Sequence, residues 1–236
     1  MNENNLQPFF FSALRIEVRP SPETNSHEVR FLADGENLIA RFWPKMMGMD
    51  PDDVLVEPSP LRATDEPRLA TIARCSCGEV GCGSVEVQIQ RVGETVEWKP
   101  SSDEADRVPV LRFDAATYER ELERAIADTG WETPDRTAAR LLRIAVDREA
   151  LASHGLKYEW ASGRIRKRAL TISLELEPGP YQVLVHLPWD AETPHEMAER
   201  AARLLSQDPT GWPDVEWEPQ QRDLDAPPPI AGPGWS

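Results

Sequence analysis

No stretch of this chain approaches the roughly 20 apolar residues that crossing a bilayer demands. Its aromatic run Phe9-Phe10-Phe11 has no basic residue before it and is closed off by Arg15. It therefore fits neither a secretion signal nor a membrane span. Positive charge is scarce: 26 Lys and Arg stand against 41 Asp and Glu, for a net charge of −15. Such a surface repels phosphate backbones and anionic lipid head groups, so the expected partners are neutral or basic proteins, not nucleic acid or membrane. Cysteine is rare, at three residues. An odd, clustered set of thiols argues against a secreted disulfide scaffold and for a reducing compartment, with cytoplasmic as the default. Also missing are a phosphate-cradling GxxxxGK[ST], a GxGxxG after a strand, a GxSxG elbow and an HExxH helix.

What is present suits an ordinary globular protein. At 236 residues, with 40% apolar and 28% charged residues, the chain is long enough for one large domain or two small ones. Leu14, Ile16 and Val18 alternate with Arg15, Glu17 and Arg19, the period of a half-buried strand, and Val29 and Phe31 repeat it. Residues 50–66 are proline-rich and acidic, and read as a solvated excursion with one short strand, Val54 to Val56. Strands follow at Leu69–Cys77, Cys82–Arg91, Thr95–Trp98 and Val108–Phe113, a polar connection (101–107) preceding the last. Together they predict an antiparallel meander.

Asp114 then opens a helix with Tyr118, Leu122, Ala125 and Ile126 on one stripe. A second helix starts at Thr133-Pro134 and buries Ala138, Leu141, Leu142, Ala145 and Val146. Leu170, Ile172, Leu174 and Leu176 form one arm of a hairpin. Pro178-Gly179 supplies a type II turn, and Tyr181, Val183, Val185 and Leu187 return. Thr193-Pro194-His195-Glu196 is a capping box for the last helix. The expected fold class is α+β. A β-rich part with a closing helix spans residues 1–131, a helix, β-hairpin and helix unit spans 132–218, and a frayed, proline-rich tail spans 219–236.

Chemistry concentrates in Arg74-Cys75-Ser76-Cys77-Gly78-Glu79-Val80-Gly81-Cys82-Gly83. If Gly78 to Gly81 form a hairpin loop, Cys77 faces Cys82 and Cys75 shares their side of the ribbon. Zinc prefers four ligands, so Cys75, Cys77 and Cys82 need a fourth donor that spacing does not identify among His27, His154, His186 and His195. The competing reading is a tight hairpin whose small cysteines pack like alanine. His195 and Glu196 share the opening of a zinc-protease helix, but Glu199 stands where its second histidine belongs. His186 falls out of phase with Val183 and Val185 and is expected on the less buried strand face. Asp50, Asp52 and Asp53 lack calcium-loop spacing and read as a turn. Arg164, Arg166, Lys167 and Arg168, the one concentrated basic run, read as an exposed lead-in to a strand. Trp212 and Trp217 are expected to cap the core from its C-terminal side.

The combination of Cys75-Ser76-Cys77-Gly78, Gly81-Cys82, Phe113 to Tyr118 and Trp131-Glu132-Thr133-Pro134-Asp135-Arg136-Thr137 resembles a group of uncharacterised bacterial proteins with a CxCGxxGC hairpin. The resemblance spans the middle of the chain and implies no activity. Three function classes follow. A non-catalytic acidic interaction protein, of the immunity type, is the leading one. A small zinc-stabilised protein is the second, and an enzyme whose site only the fold assembles is the third.

Overall fold

The computed structural model describes residues 8–11, 13–21, 26–75, 77, 83–100, 107–176, 181–220 and 226–236. The chain divides into two compact units, Met1–Trp131 and Glu132–Ser236, and both strands and helices contribute to each, an α+β protein.

The first unit holds β1 (Phe9–Phe11), β2 (Leu14–Ser21), β3 (Ser26–Ala33), β4 (Glu36–Asn37), α1 (Leu38–Phe42), β5 (Met46–Gly48) and α2 (Pro51–Val54). It continues with β6 (Arg68–Cys75), β7 (Ser84–Val92), β8 (Thr95–Pro100), β9 (Leu111–Asp114) and α3 (Ala115–Ala127). One sheet runs β1-β9-β8-β7-β6-β5, antiparallel except for the parallel pair β1 and β9. A second runs β2-β3-β4. Alternation explains the inward rows: Leu14, Ile16, Val29, Phe31 and Ala33 are buried, while Arg15 and Arg19 clasp Glu17 on the outside. The Val29 amide donates to Met49 O at 2.9 Å, joining β3 to the end of β5 and curling the two sheets toward each other. Gly48 sits at this seam, where a Cβ would collide with the Val29 carbonyl.

Trp98 anchors the core. It is fully buried, with Phe31, Phe113 and Tyr118 packed edge-on at centroid distances of 5.1, 5.5 and 6.2 Å. Its indole N–H donates to Tyr118 Oη, which donates in turn to Leu61 O at 2.7 Å. Burial pushes the Tyr118 phenol well above its ordinary value. Leu61, Val54, Leu55 and Val56 are all buried, so the solvated excursion expected over 50–66 is corrected, and its strand gives way to α2. The reason is local: Asp50 accepts the Asp52 amide as N-cap, and Pro51 takes the first helical position.

The second unit holds α4 (Pro134–Ala145), α5 (Arg148–Ser153), β10 (Leu156–Ser162), β11 (Ala169–Leu176), β12 (Tyr181–Pro188), α6 (Pro194–Leu205), a 3-10 turn (Pro209–Gly211) and β13 (Val215–Pro219). The expected hairpin is the centre of a four-stranded antiparallel sheet, β10-β11-β12-β13. Leu170, Ile172, Leu174, Val183, Val185 and Leu187 are buried with Ala138 and Leu142 of α4 and Met197, Ala201 and Leu205 of α6 in one core. At α6, Thr193 and Glu196 exchange the bonds of a capping box. At α4, Thr133 stands at the N-cap but its hydroxyl donates to Asp135 and caps no amide.

The frayed tail expected from Pro219 is corrected for residues 226–236, which pack on the second unit. Ile230 and Trp235 join its hydrophobic core, and Val215 pairs with Trp235 in a parallel bridge. The glycines that suggested fraying instead permit close approach of two backbones. The Pro178-Gly179 turn, the Gly78–Gly81 loop and most of the 101–107 connection lie outside the described residues.

Candidate functional site

Two of the three thiols, Cys75 and Cys77, lie within the described residues. β6 ends at Cys75, whose amide donates to Gly83 O at 3.0 Å. Cys77 is in a turn and exposed, while Cys75 is half-buried. The Cys77 backbone N–H points at Cys75 Sγ, 3.5 Å away. Cys82 lies outside the described residues, so the expected Cys77–Cys82 opposition is not part of the described geometry. Among the described residues no group of three or more His, Cys, Asp or Glu side chains is placed to hold a metal.

His186 departs from its sequence reading. It is 2% exposed, not on an open strand face. Its partner across the ladder is Thr171, whose Oγ1 lies 3.0 Å from Nδ1, and Glu216 Oε2 stands 3.4 Å from Nε2 without hydrogen-bond geometry. The order hydroxyl, imidazole, carboxylate matches a nucleophilic triad in composition alone. Thr171 is 0% exposed, so its oxygen cannot meet a substrate in this arrangement; it satisfies His186 Nδ1 and leaves the buried Nε2 without a hydrogen-bond partner among the described residues. Sequence reasoning missed Thr171 and Glu216 because register, not spacing along the chain, brings them together.

The basic run forms the connection from β10 to β11. Arg166 grips both oxygens of Asp214 at 3.1 and 3.0 Å, and Arg168 reaches Asp190 at 2.7 Å. Arg166 and Arg168 are thus committed to carboxylates within the unit. Asp50, Asp52 and Asp53 belong to the capped turn of α2. Trp212 is buried with its indole N–H donating to Leu204 O, and Trp217 lies in β13 with its ring edge against Tyr181.

The described pocket in the second unit is an open depression of about 620 Å³ where β12 runs into α6. Pro188, Asp190, Ala191, Glu192, Glu196, Glu199 and Arg203 line it. Each carboxylate is held by a local cation or donor. Glu192 takes two bonds from Arg200, at 2.6 and 2.7 Å, and that guanidinium holds its carboxyl below the ordinary range. Glu196 accepts the Thr193 amide and hydroxyl, which lower its pKa in the same way. Asp190 pairs with Arg168, and Glu199 stands 3.7 Å from Arg203. Carboxylates with depressed pKa values stay ionised at neutral pH and cannot serve as proton donors there. The guanidiniums of Arg168, Arg200 and Arg203 offset much of the charge of the four carboxylates, so the depression presents ionised acids with a small net negative charge, which would favour a cationic group weakly. Part of the signal was present in the sequence: Glu196 and Glu199 stand three apart on α6, the spacing that places side chains on one helix face, while Glu192 precedes the helix and is brought alongside by Arg200. No protein-family model, curated protein or solved structure matches this chain.

Proposed function

We propose that this protein is a non-catalytic interaction protein of the immunity type, which uses a fixed acidic surface in the cytoplasm to engage a basic protein partner. The observation that carries the reading is the depression lined by Asp190, Glu192, Glu196 and Glu199, set in a chain with a net charge of −15. Complementary charge speeds encounter and selects partners, and its effect weakens as salt screens it. The test uses a labelled oligolysine peptide as probe. The wild-type chain is expected to bind it at low ionic strength and to lose at least tenfold in affinity at about 0.5 M salt. D190N/E199Q, which spares the Arg200 clasp, should weaken binding at low salt. Affinity indifferent to both changes would remove the reading.

A second reading has one observation in its favour. The Cys77 amide directed at Cys75 Sγ is the kind of donor that stabilises a thiolate, and with Cys82 and a fourth ligand these sulfurs would hold a structural zinc ion. Elemental analysis of protein purified without chelator decides it. Near-stoichiometric zinc that C75S and C77S abolish supports the site, and less than about a tenth of an equivalent eliminates it.

A further inference from the structure

Residues 226–236 bind β13 as a separate peptide would. The Val215 amide donates to Gly234 O at 3.0 Å, the Ser236 amide to Val215 O at 2.9 Å, and the Trp217 amide to Ser236 O at 3.2 Å. The Trp235 indole stacks over the buried Trp212 ring, with centroids 6.1 Å apart and planes 11° from parallel, and its N–H donates to Pro209 O at 3.0 Å. At the other end Ala226 O accepts from Tyr181 Oη. Gly232 and Gly234 run so near Thr210, Trp212 and Pro213 that a Cβ on either would collide with their carbonyl oxygens. Backbone bonds along a strand edge, with one aromatic side chain seated on a buried partner, are the elements of peptide recognition by strand addition.

The segment's composition bears on what else would fit. Ala226-Pro227-Pro228-Pro229-Ile230-Ala231-Gly232-Pro233-Gly234-Trp235-Ser236 carries no charged side chain, although the chain as a whole is strongly anionic. It can therefore approach another copy without adding like-charge repulsion. Its four prolines limit the backbone freedom lost on docking. We propose that the 3-10 turn, Trp212 and the outer edge of β13 form a peptide-binding groove for an extended, uncharged, glycine-spaced segment bearing an indole. Residues 226–236 of a second copy fill this groove in exchange for the chain's own.

The test uses the full-length chain and a fluorescent peptide of residues 226–236. In the wild type the resident segment competes at high effective concentration, so the peptide binds weakly. In full-length W235A that competitor is impaired, and the peptide is expected to bind at least tenfold more tightly. A peptide with alanine in place of tryptophan should bind neither chain. Failure of the native peptide to bind a folded W235A chain overturns the groove, as does equal binding of the alanine peptide. If W235A does not fold, hydrogen exchange on the wild type decides. The Val215 and Trp217 amides should exchange at least tenfold faster than that of Ile172, and equal protection overturns the proposal. Sedimentation at millimolar concentration addresses the second copy: a dimer population is expected, and a strictly monomeric chain removes the exchange.

Discussion

The two units protect their exposed strand edges by opposite means. In the first, β2 ends its sheet, and α3 lays a carboxylate and a guanidinium against it. Glu121 accepts the Ile16 amide at 2.6 Å, and Arg124 donates to Ile16 O at 2.5 Å while also pairing with Glu121. In the second, β13 ends its sheet, and further backbone occupies the edge, locked by a tryptophan stack. Unpaired edges invite association with other chains, so each arrangement doubles as protection. Charged side chains satisfy one residue and depend on electrostatics. A docked segment satisfies several and depends on apolar contact, as does the rest of a core.

The sharpest way to break this comparison is W212A. It removes the platform for Trp235 and a fully buried ring, and should lower the stability of the second unit by about 3–5 kcal/mol, measured by urea denaturation. Loss confined to the first unit would contradict the assignment. The double variant E121A/R124A strips the β2 edge and should lower stability by ~1–3 kcal/mol, because it leaves the Ile16 amide and carbonyl to find water. Light scattering should then report self-association, the outcome expected when a strand edge is left open.

T193A sharpens the second unit alone. It removes one half of the α6 capping box and should lower Tm by ~2–4 °C. The smallest effect is expected in acid. Arg19 and Arg15 hold Glu17 low, Arg200 holds Glu192 low, and the Thr193 amide holds Glu196 low. Each binds its proton less tightly folded than unfolded, so its stabilising share is complete above the unfolded value of 4.5 and fades as pH falls through the lowered folded values. Thermal melts should be flat from neutral to about pH 5 and decline below it. A Tm that rises in that range would show that these groups do not govern acid stability.

What the sequence made legible follows from where burial imposes a period. β2, β3 and β7 alternate cleanly because one face of each is the more buried; β11 and β12 alternate in residue type although β11 is buried on both faces, Thr171 and Ser173 filling its second face, and α3, α4 and α6 carry apolar stripes. β10 and β13 escaped notice because, at the sheet margins, Glu159, Trp160, Glu216 and Glu218 blur the alternation. β5 is three residues long, too short for any period to register. The segment from Val54 to Leu61 looked solvated because its acids are visible and its tether is not: Tyr118, 57 positions away, supplies the bond to Leu61. His186 was judged by phase alone, whereas the cross-strand Thr171 lets a polar ring stay inside. For Cys75 and Cys77 the spacing suggested a shared strand face, but β6 ends at Cys75.

Gly48 marks a place where the two sheets of the first unit touch. Because Gly48 has only hydrogens on its α-carbon, the Val29 carbonyl can press directly against the β5 backbone beside the bond from the Val29 amide to Met49 O. Any methyl at that spot would act as a wedge, so the join between these two sheets rests on a residue that has no side chain to put in the way.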